Sequence, residues 1–596
     1  VTLDRIARLL AATPAGQGYL RVATARGERD YVLGPSTQLD GEAPMLDWHT
    51  APLAEAFFRY APGESYEVEA GERTAEGKVI ERWIIEGHGR ALIGEDRAIK
   101  GDGERALARP SPVPVTPIDR TALPVLDPEQ QAAVDLTSDT SLVIDGEAGV
   151  GKTLVALYRV ASLERRAREH GRRFRALVLV PTEGLRRLVR LLADRLAIHK
   201  LEIAVIDGWL VDRAHETFSG LPKRQSEGAT AQVIALKRHP AVRVALDDFI
   251  GWKPPRGVDD DKIPRTRMRL LHLFGDRDRL QRIVDAASGA LPARAITATM
   301  QHTRVQFETT TERAHRHVDA DRLVALDGRA LDAGTPMEDA HTFDAEDVPV
   351  LFELVRRGAL PGAKLPSYDH IVVDESQLRA PMELAAIADA LAPDATVTLA
   401  GDHRQATDES AWFAGWPAAC AELRRARWSE VTLEVTYRSV AAISTFARAI
   451  VDASPTLPTE PPADPAVWAS ATPHALGQAA LLCWHLAALV ARDPWRQICV
   501  IGRTPEHARR LHAELGRGLD PSLVLDGDFR FEPGIIVTTA AAVSGLEFDA
   551  VVIPDLSPTF YPRSPELARS LYVAATRARD WLWLLTPEAW SPLVTT

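Results

Sequence analysis

The sequence predicts an α/β chain built on parallel, doubly covered sheets, and three observations predict it. A glycine-rich loop joins a short apolar strand to a helix between Ser141 and Thr153, SLVIDGEAGVGKT. A second apolar run, Ala176-Leu177-Val178-Leu179-Val180, follows that helix at the spacing of a strand–helix–strand unit in a parallel sheet. Further apolar strands recur at 371–373, 397–400, 498–501, 535–537 and 551–553. Around them the chain carries a small β-rich N-terminal domain and a mainly helical insertion.

At 596 residues the chain exceeds what one core organises, and about three or four domains are expected. Its composition, 46% hydrophobic and 26% charged without a low-complexity tract, is that of a globular protein. No apolar run approaches the ~20 residues that span a bilayer, and no signal-peptide layout is seen, so no membrane partner is expected. Cys420, Cys483 and Cys499 have no metal-ligand spacing and are odd in number, which predicts free, buried thiols in a reducing, cytoplasmic setting. A net charge of −12 argues mildly against nucleic-acid binding, although a groove needs only a local patch. One run offers such a patch: Arg159, Arg165, Arg166, Arg168, Arg172, Arg173 and Arg175, with Arg186, Arg187 and Arg190 beyond. It reads first as a solvated face with salt bridges and second as a phosphate track.

The loop at the centre carries the clearest chemistry. Gly146-Glu147-Ala148-Gly149-Val150-Gly151-Lys152-Thr153 fits G-x-x-x-x-G-K-[ST] at each fixed position. Its glycines let backbone N–H groups converge at a helix N-terminus, where the helix dipole adds positive potential. Lys152 then reaches the β- and γ-phosphates and Thr153 ligates Mg²⁺, so a nucleoside triphosphate is the expected ligand.

In chain order, residues 1–120 form the β-rich accessory domain. Its strands are Tyr19–Val22, Tyr31–Leu33 and Val79–Ile85, and Trp48, Phe57 and Phe58 are expected in its core. The proline-rich stretch 108–124 is a connector. Residues 121–206 begin the first sheet; Asp127 caps a helix that starts at Pro128. Residues 207–340 are the helical insertion, and their His302, His315 and His317 lack a metal-site pattern. Residues 341–432 resume the sheet. There the strand Ile371-Val372-Val373 ends in Asp374, suited to hold Mg²⁺, and Glu375, suited to polarise an attacking water. Gln405, after the strand at 397–400, can sense the γ-phosphate. Residues 433–596 form a second α/β unit with no such loop of its own. It has a helix from Leu571 to Arg579, and it offers Arg438 and Arg577 at element ends.

Taken in order, these strings resemble superfamily 1 helicases of the UvrD/Rep type over roughly residues 126–586. Gln130 in LDPEQQAAV matches that family's adenine-reading glutamine, and Lys152 and Thr153 match its motif I. Asp374, Glu375 and Gln377 match motif II, Gln405 motif III, and Tyr437 and Arg438 motif IV. Gly545 and Glu547 match motif V, and Arg577 motif VI. The resemblance implies two RecA-like lobes using ATP and Mg²⁺. It gives Tyr437 on the base, Glu547 on the ribose, and Arg438 and Arg577 as arginine fingers. It further implies a monomer moving 3′ to 5′ on single-stranded nucleic acid, DNA ahead of RNA.

Strings such as DWHTAP, YDHIVVDES and GLEFDAVVIPD are also similar to the HelD branch, which binds and recycles RNA polymerase, and this is the alternative function. The long coiled-coil arm of that branch has no counterpart before the first strand. Ala541 and Ser544 stand where motif V usually has His and Lys, and no aromatic accompanies Thr182 in motif Ia. The stretch from Ser439 to Gly545 is too short for the family's large second-lobe insertion. Trp412 and Phe413 are left as either a base-stacking platform or core. ATP hydrolysis therefore follows more strongly than processive unwinding.

Overall fold

The computed structural model describes residues 2–40, 43–71, 73–87, 90–100, 103–107, 125–147, 150–226, 228–253, 265–307, 340–403, 408–433, 440–452, 455–458 and 466–595. They form two compact units. One comprises residues 1–122, 182–185 and 436–596; the other comprises residues 123–181 and 186–435.

The first unit contains two sheets. Strands β1 (Gly18–Thr24), β2 (Gly27–Gly34), β3 (Met45–Asp47), β4 (Ser65–Ala70), β5 (Arg73–Glu86), β6 (Ala91–Ile93), β7 (Arg97–Lys100) and β8 (Gly103–Ala106) make an eight-stranded sheet. It is antiparallel except where β3 runs parallel to β2. Trp48, Phe57 and Phe58 are buried, as expected of core aromatics.

The other unit holds an all-parallel sheet of β9 (Ser141–Gly146), β10 (Ala176–Val180), β11 (Leu201–Val205), β12 (Tyr368–Val373), β13 (Leu391–Gly401) and β14 (Trp428–Leu433). Their order across the sheet is β11-β10-β12-β13-β9-β14. Every residue of β9 is buried, which explains an apolar run without alternation. Each fully buried Leu, Val or Ile there contributes about 1.5–3 kcal/mol. Helices between Ile206 and Phe307 share one hydrophobic cluster with this sheet, which includes Trp209, Phe249, Leu273 and Ile283 as well as Leu177, Ile371 and Leu399. Among the expected histidines, His302 pairs with Asp344 at 2.9 Å, while His315 and His317 lie outside the described residues.

Back in the first unit, β15 (Val467–Ala471), β16 (Gln497–Gly502), β17 (Ser522–Leu523), β18 (Gly534–Thr539), β19 (Phe548–Ile553) and β20 (Ala578–Thr586) form a second all-parallel sheet in the order β15-β20-β19-β16-β18-β17. The helix expected through Arg579 stops at Ala575, because Ala578 is already paired with Phe548 in the β20–β19 ladder. Here the demands of the sheet override local helix propensity. This sheet and the N-terminal one share a core through the helix Ala475–Arg492. Trp484 donates to the Phe57 carbonyl at 3.0 Å, and Arg82 lies 4.4 Å over the Trp484 ring. That 18-residue helix is also long and apolar enough to cross a membrane by length and composition, a feature the sequence reading passed over; 61% of it is buried inside the protein. All three cysteines are buried with free thiols.

Candidate nucleotide site

The site is assembled at the carboxyl ends of β9, β12 and β13, adjacent strands of one parallel sheet and the edge at which open α/β sheets bind ligands. Gly151 caps the helix Lys152–Glu169 with φ +86°, a left-handed conformation that favours glycine. A Cβ there would also come within 3.1 Å of Gln130 Nε2. Lys152 is buried, and its ammonium donates to the carbonyls of Gly146 at 2.8 Å and Glu147 at 2.9 Å. The loop thus holds its own lysine in place. Ala148 and Gly149 lie outside the described residues.

The Thr153 hydroxyl donates to Asp374 Oδ2 at 2.6 Å across 221 residues of sequence, joining the two residues assigned to Mg²⁺. Burial, and then the Glu375 carboxylate beside it, push the Asp374 carboxyl up to about 6, against the pull of Thr153 and Lys152. A buried carboxylate in this state, next to a hydroxyl, is a set of hard oxygen donors that fits a magnesium ion.

Glu375 is held at φ +48°, a strained position for a residue with a Cβ, at a cost of about 1–2 kcal/mol. Its carboxylate accepts from Gln377 Nε2 at 2.6 Å, and Gln377 Oε1 accepts from the Asp402 N–H at 3.3 Å. Gln377 therefore links the acid pair to the end of β13. The sequence reading did not anticipate the role of Asp145 and His403. His403 Nδ1 lies 2.6 Å from Asp145 Oδ2, and its backbone N–H donates to Asp145 Oδ1 at 3.1 Å. Asp145 immediately precedes Gly146, so this pair ties the segment after β13 to the strand that feeds the loop. The one available signal was an acid at the end of an otherwise apolar strand.

Gln130 is buried and committed at both ends of its amide. It accepts from Asp127 N at 3.2 Å in a capping box and donates to the Val150 carbonyl at 3.0 Å. Here it braces the loop against the preceding helix. Gln405, Tyr437 and Arg438 lie outside the described residues.

The arginine run after the loop is largely spent within its own unit. Arg159 is buried and donates to four carbonyls, of Val134, Leu136, Thr137 and Thr140. Arg168 meets Glu164 at 3.1 Å and Arg175 meets Glu202 at 3.1 Å. Trp412 and Phe413 both pack against the core.

Comparison with known families adds two matches. Residues 130–410 match the family model of an AAA domain, and residues 534–585 match that of the UvrD-like helicase C-terminal domain. Together they support a UvrD/Rep-like helicase of superfamily 1. The C-terminal domain of a possible DNA helicase from Lactobacillus plantarum is similar at 27% identity, covering 27% of this chain and 92% of that one, with a TM-score of 0.23. No curated protein matches the chain. Neither family match extends to the HelD branch.

The AAA match starts at Gln130 and takes in the loop, Asp374, Glu375 and Gln405, while Gly545, Glu547 and Arg577 fall inside the helicase C-terminal match. Gly545 has φ +78° at the turn before β19, and Glu547 is half-buried two residues on. Arg577 is buried, with its guanidinium turned into its own unit. It donates to the carbonyls of Val573 at 3.0 Å and Leu546 at 3.2 Å, and to Thr576 Oγ1 at 3.1 Å. Such a side chain locks the helix end to the turn of Gly545. The glycine-rich loop, Asp374 and Glu375 lie in one unit, and in the other Arg577 is occupied by hydrogen bonds to its own neighbours.

Proposed function

We propose that this chain hydrolyses ATP and uses the cycle to move along single-stranded DNA in the 3′ to 5′ direction, as a UvrD-like helicase or translocase. The observation that carries the reading is the Thr153–Asp374 hydrogen bond beside Lys152 and Glu375, four groups from two distant segments that converge at one sheet edge. The AAA and UvrD-like matches add the expectation of a nucleic-acid partner.

In this reading Lys152 exchanges its loop carbonyls for phosphate oxygens, and Thr153 and Asp374 hold Mg²⁺. When bound, the metal neutralises charge on the β- and γ-phosphates. Glu375 accepts a hydrogen bond from the attacking water, with its carboxylate aimed by Gln377. Gly146, Glu147, Ala148, Gly149, Val150 and Gly151 supply the cradle. Gln130 and Tyr437 frame the base, Gly545 and Glu547 the sugar, Gln405 senses the γ-phosphate, and Arg438 and Arg577 stabilise charge in the transition state. The role of Arg577 requires it to release the three hydrogen bonds described above.

The test is ATPase turnover of the full chain without polymer, with single-stranded DNA and with single-stranded RNA. Stimulation by DNA above RNA is the expected result. Turnover unaffected by either polymer sinks the translocase reading, and absence of turnover sinks hydrolysis itself.

A further inference from the structure

Arg238 is the last residue of the helix Ala231–Arg238 in the helical segment, and its guanidinium is spread over two separate turns, one directly after Asp374 and Glu375 and one downstream of β13. On one edge, Nη2 donates to the Leu378 carbonyl at 2.9 Å, and Nε lies 3.0 Å from Glu383. Leu378 closes the short turn Ser376–Leu378 that follows Asp374 and Glu375. Glu383 caps the next helix by accepting from Ala380 N at 3.1 Å. On the other edge, Nη1 donates to Asp408 Oδ2 at 2.6 Å and to Ser410 Oγ at 2.7 Å. Asp408 in turn caps the turn Glu409–Ala411, which lies downstream of Asp402 and His403.

A second set of contacts joins the same turn to the same helix. Trp412, at φ +53°, donates its indole N–H to the Ala235 carbonyl at 3.0 Å and packs edge-on against His239 at 4.3 Å. The helix end itself is pinned from behind. Lys237 is buried between Asp344 and Asp347, 2.6 Å from the latter. A buried ammonium paired with two carboxylates is costly to displace, so this helix end is a fixed post.

We propose that Arg238 is a positioning residue for ATP hydrolysis, holding the turn after the Asp374–Glu375 pair and the turn after β13 in one geometry set by the helical segment. The proposal rests on the hydrolysis reading above. Two properties of the guanidinium make it suited to the task. It is planar, with five donors in a fixed fork, so it can face two turns at once; a lysine ammonium offers one point of charge and cannot span both. The groups it aligns lie downstream of Glu375, whereas Gly146, Lys152 and Thr153 are held by contacts in which Arg238 takes no part. Loosening it should therefore misplace the water-orienting carboxylate while the phosphate cradle stands.

The experiment compares Arg238→Lys and Asp408→Asn with wild type, and with Arg243→Lys as a control. Arg243, in the same helical segment, pairs with Glu422 at 2.7 Å and touches neither turn. Each full-length variant is assayed for Mg·ATP turnover, for affinity by titration with a fluorescent ATP analogue, and for thermal stability. Arg238→Lys and Asp408→Asn are expected to lower kcat about 10- to 100-fold, the scale of a small misplacement of a reacting group, with analogue affinity within about twofold. Arg243→Lys is expected to lose thermal stability and keep its kcat. Unchanged kcat in the first two variants overturns the proposal. So does a loss of analogue affinity as large as the loss of kcat, or an equal loss of kcat in Arg243→Lys. A wild-type chain that binds the analogue and releases no phosphate overturns the hydrolysis reading, and this inference with it.

Discussion

The two all-parallel sheets, β9–β14 and β15–β20, are alike in strand number and direction, yet they treat the acid beyond a central strand in opposite ways. Asp374, one residue past β12, has the Thr153 hydroxyl as its side-chain donor, and burial beside Glu375 pushes it up to about 6. Asp555, two residues past β19, is equally buried. It accepts from His507 Nε2 at 2.7 Å and Gln478 Nε2 at 2.9 Å, and pairs with Arg510 as well. Despite that burial, the His507 hydrogen bond and the Arg510 charge hold it below the usual carboxylate range. The first acid stands beside a second carboxylate with a hydroxyl as its side-chain donor; the second is satisfied internally by a histidine, an amide and an arginine. One architecture thus yields a candidate reactive rim or a sealed one, according to how many donors surround the acid.

The contrast can be broken most directly at the reactive rim. Lys152→Ala should lower ATP turnover by roughly 10²–10³-fold, the scale of removing one transition-state charge partner, with the melting temperature little changed. A phosphate-release assay paired with thermal melting checks this, and near-normal turnover would refute the reading of that edge. At the sealed rim the signs reverse. Asp555→Ala leaves His507 and Arg510 without their carboxylate and should cost about 3 kcal/mol in chemical denaturation, a loss of stability rather than a change in chemistry.

A smaller effect tests the first sheet itself. Neutral His370 bridges Thr396 and Thr398 at 2.8 and 3.0 Å, and burial, with the Arg159 charge nearby, pushes it down to about 3. Its folded value lies below the ordinary 6.5, so the unfolded chain binds the proton first as pH falls. The stabilisation is complete above 6.5 and erodes below it, by about 2 kcal/mol at pH 5. Denaturation free energies at pH 7 and pH 5 should show that loss in wild type and its absence in His370→Leu. The smallest effect concerns Glu375. Replacing it with Asn, which tolerates the left-handed region better, should stabilise the chain by about 0.5–1 kcal/mol while abolishing turnover. A variant that is both more stable and active would show that the strain at 375 does not serve the site.

Much of the first sheet was legible because its signals are local. The capped helix at Asp127–Pro128, the apolar β9 and the loop with Gly151 at φ +86° each follow from neighbours in sequence. The end of the helix at Ala575 was misread because the pairing that stops it, Ala578 with Phe548, joins residues thirty apart. What covers the membrane-length helix Ala475–Arg492 was not legible, because its partners lie on both the N-terminal sheet and the second parallel sheet.

The sequence by itself determined the residue types of a candidate phosphate site and the order in which they arrive, because a loop of fixed spacing between strand and helix has few other uses. Only the tertiary structure decided what those residues touch: that Gln130 braces the loop, that Arg577 faces inward, that His403 reaches Asp145, and that Arg238 spans two turns. A hydrogen bond is set by position to within a few tenths of an ångström. Position at that scale comes from the packing of segments that lie from 20 to 258 residues apart, which no short stretch of sequence specifies alone.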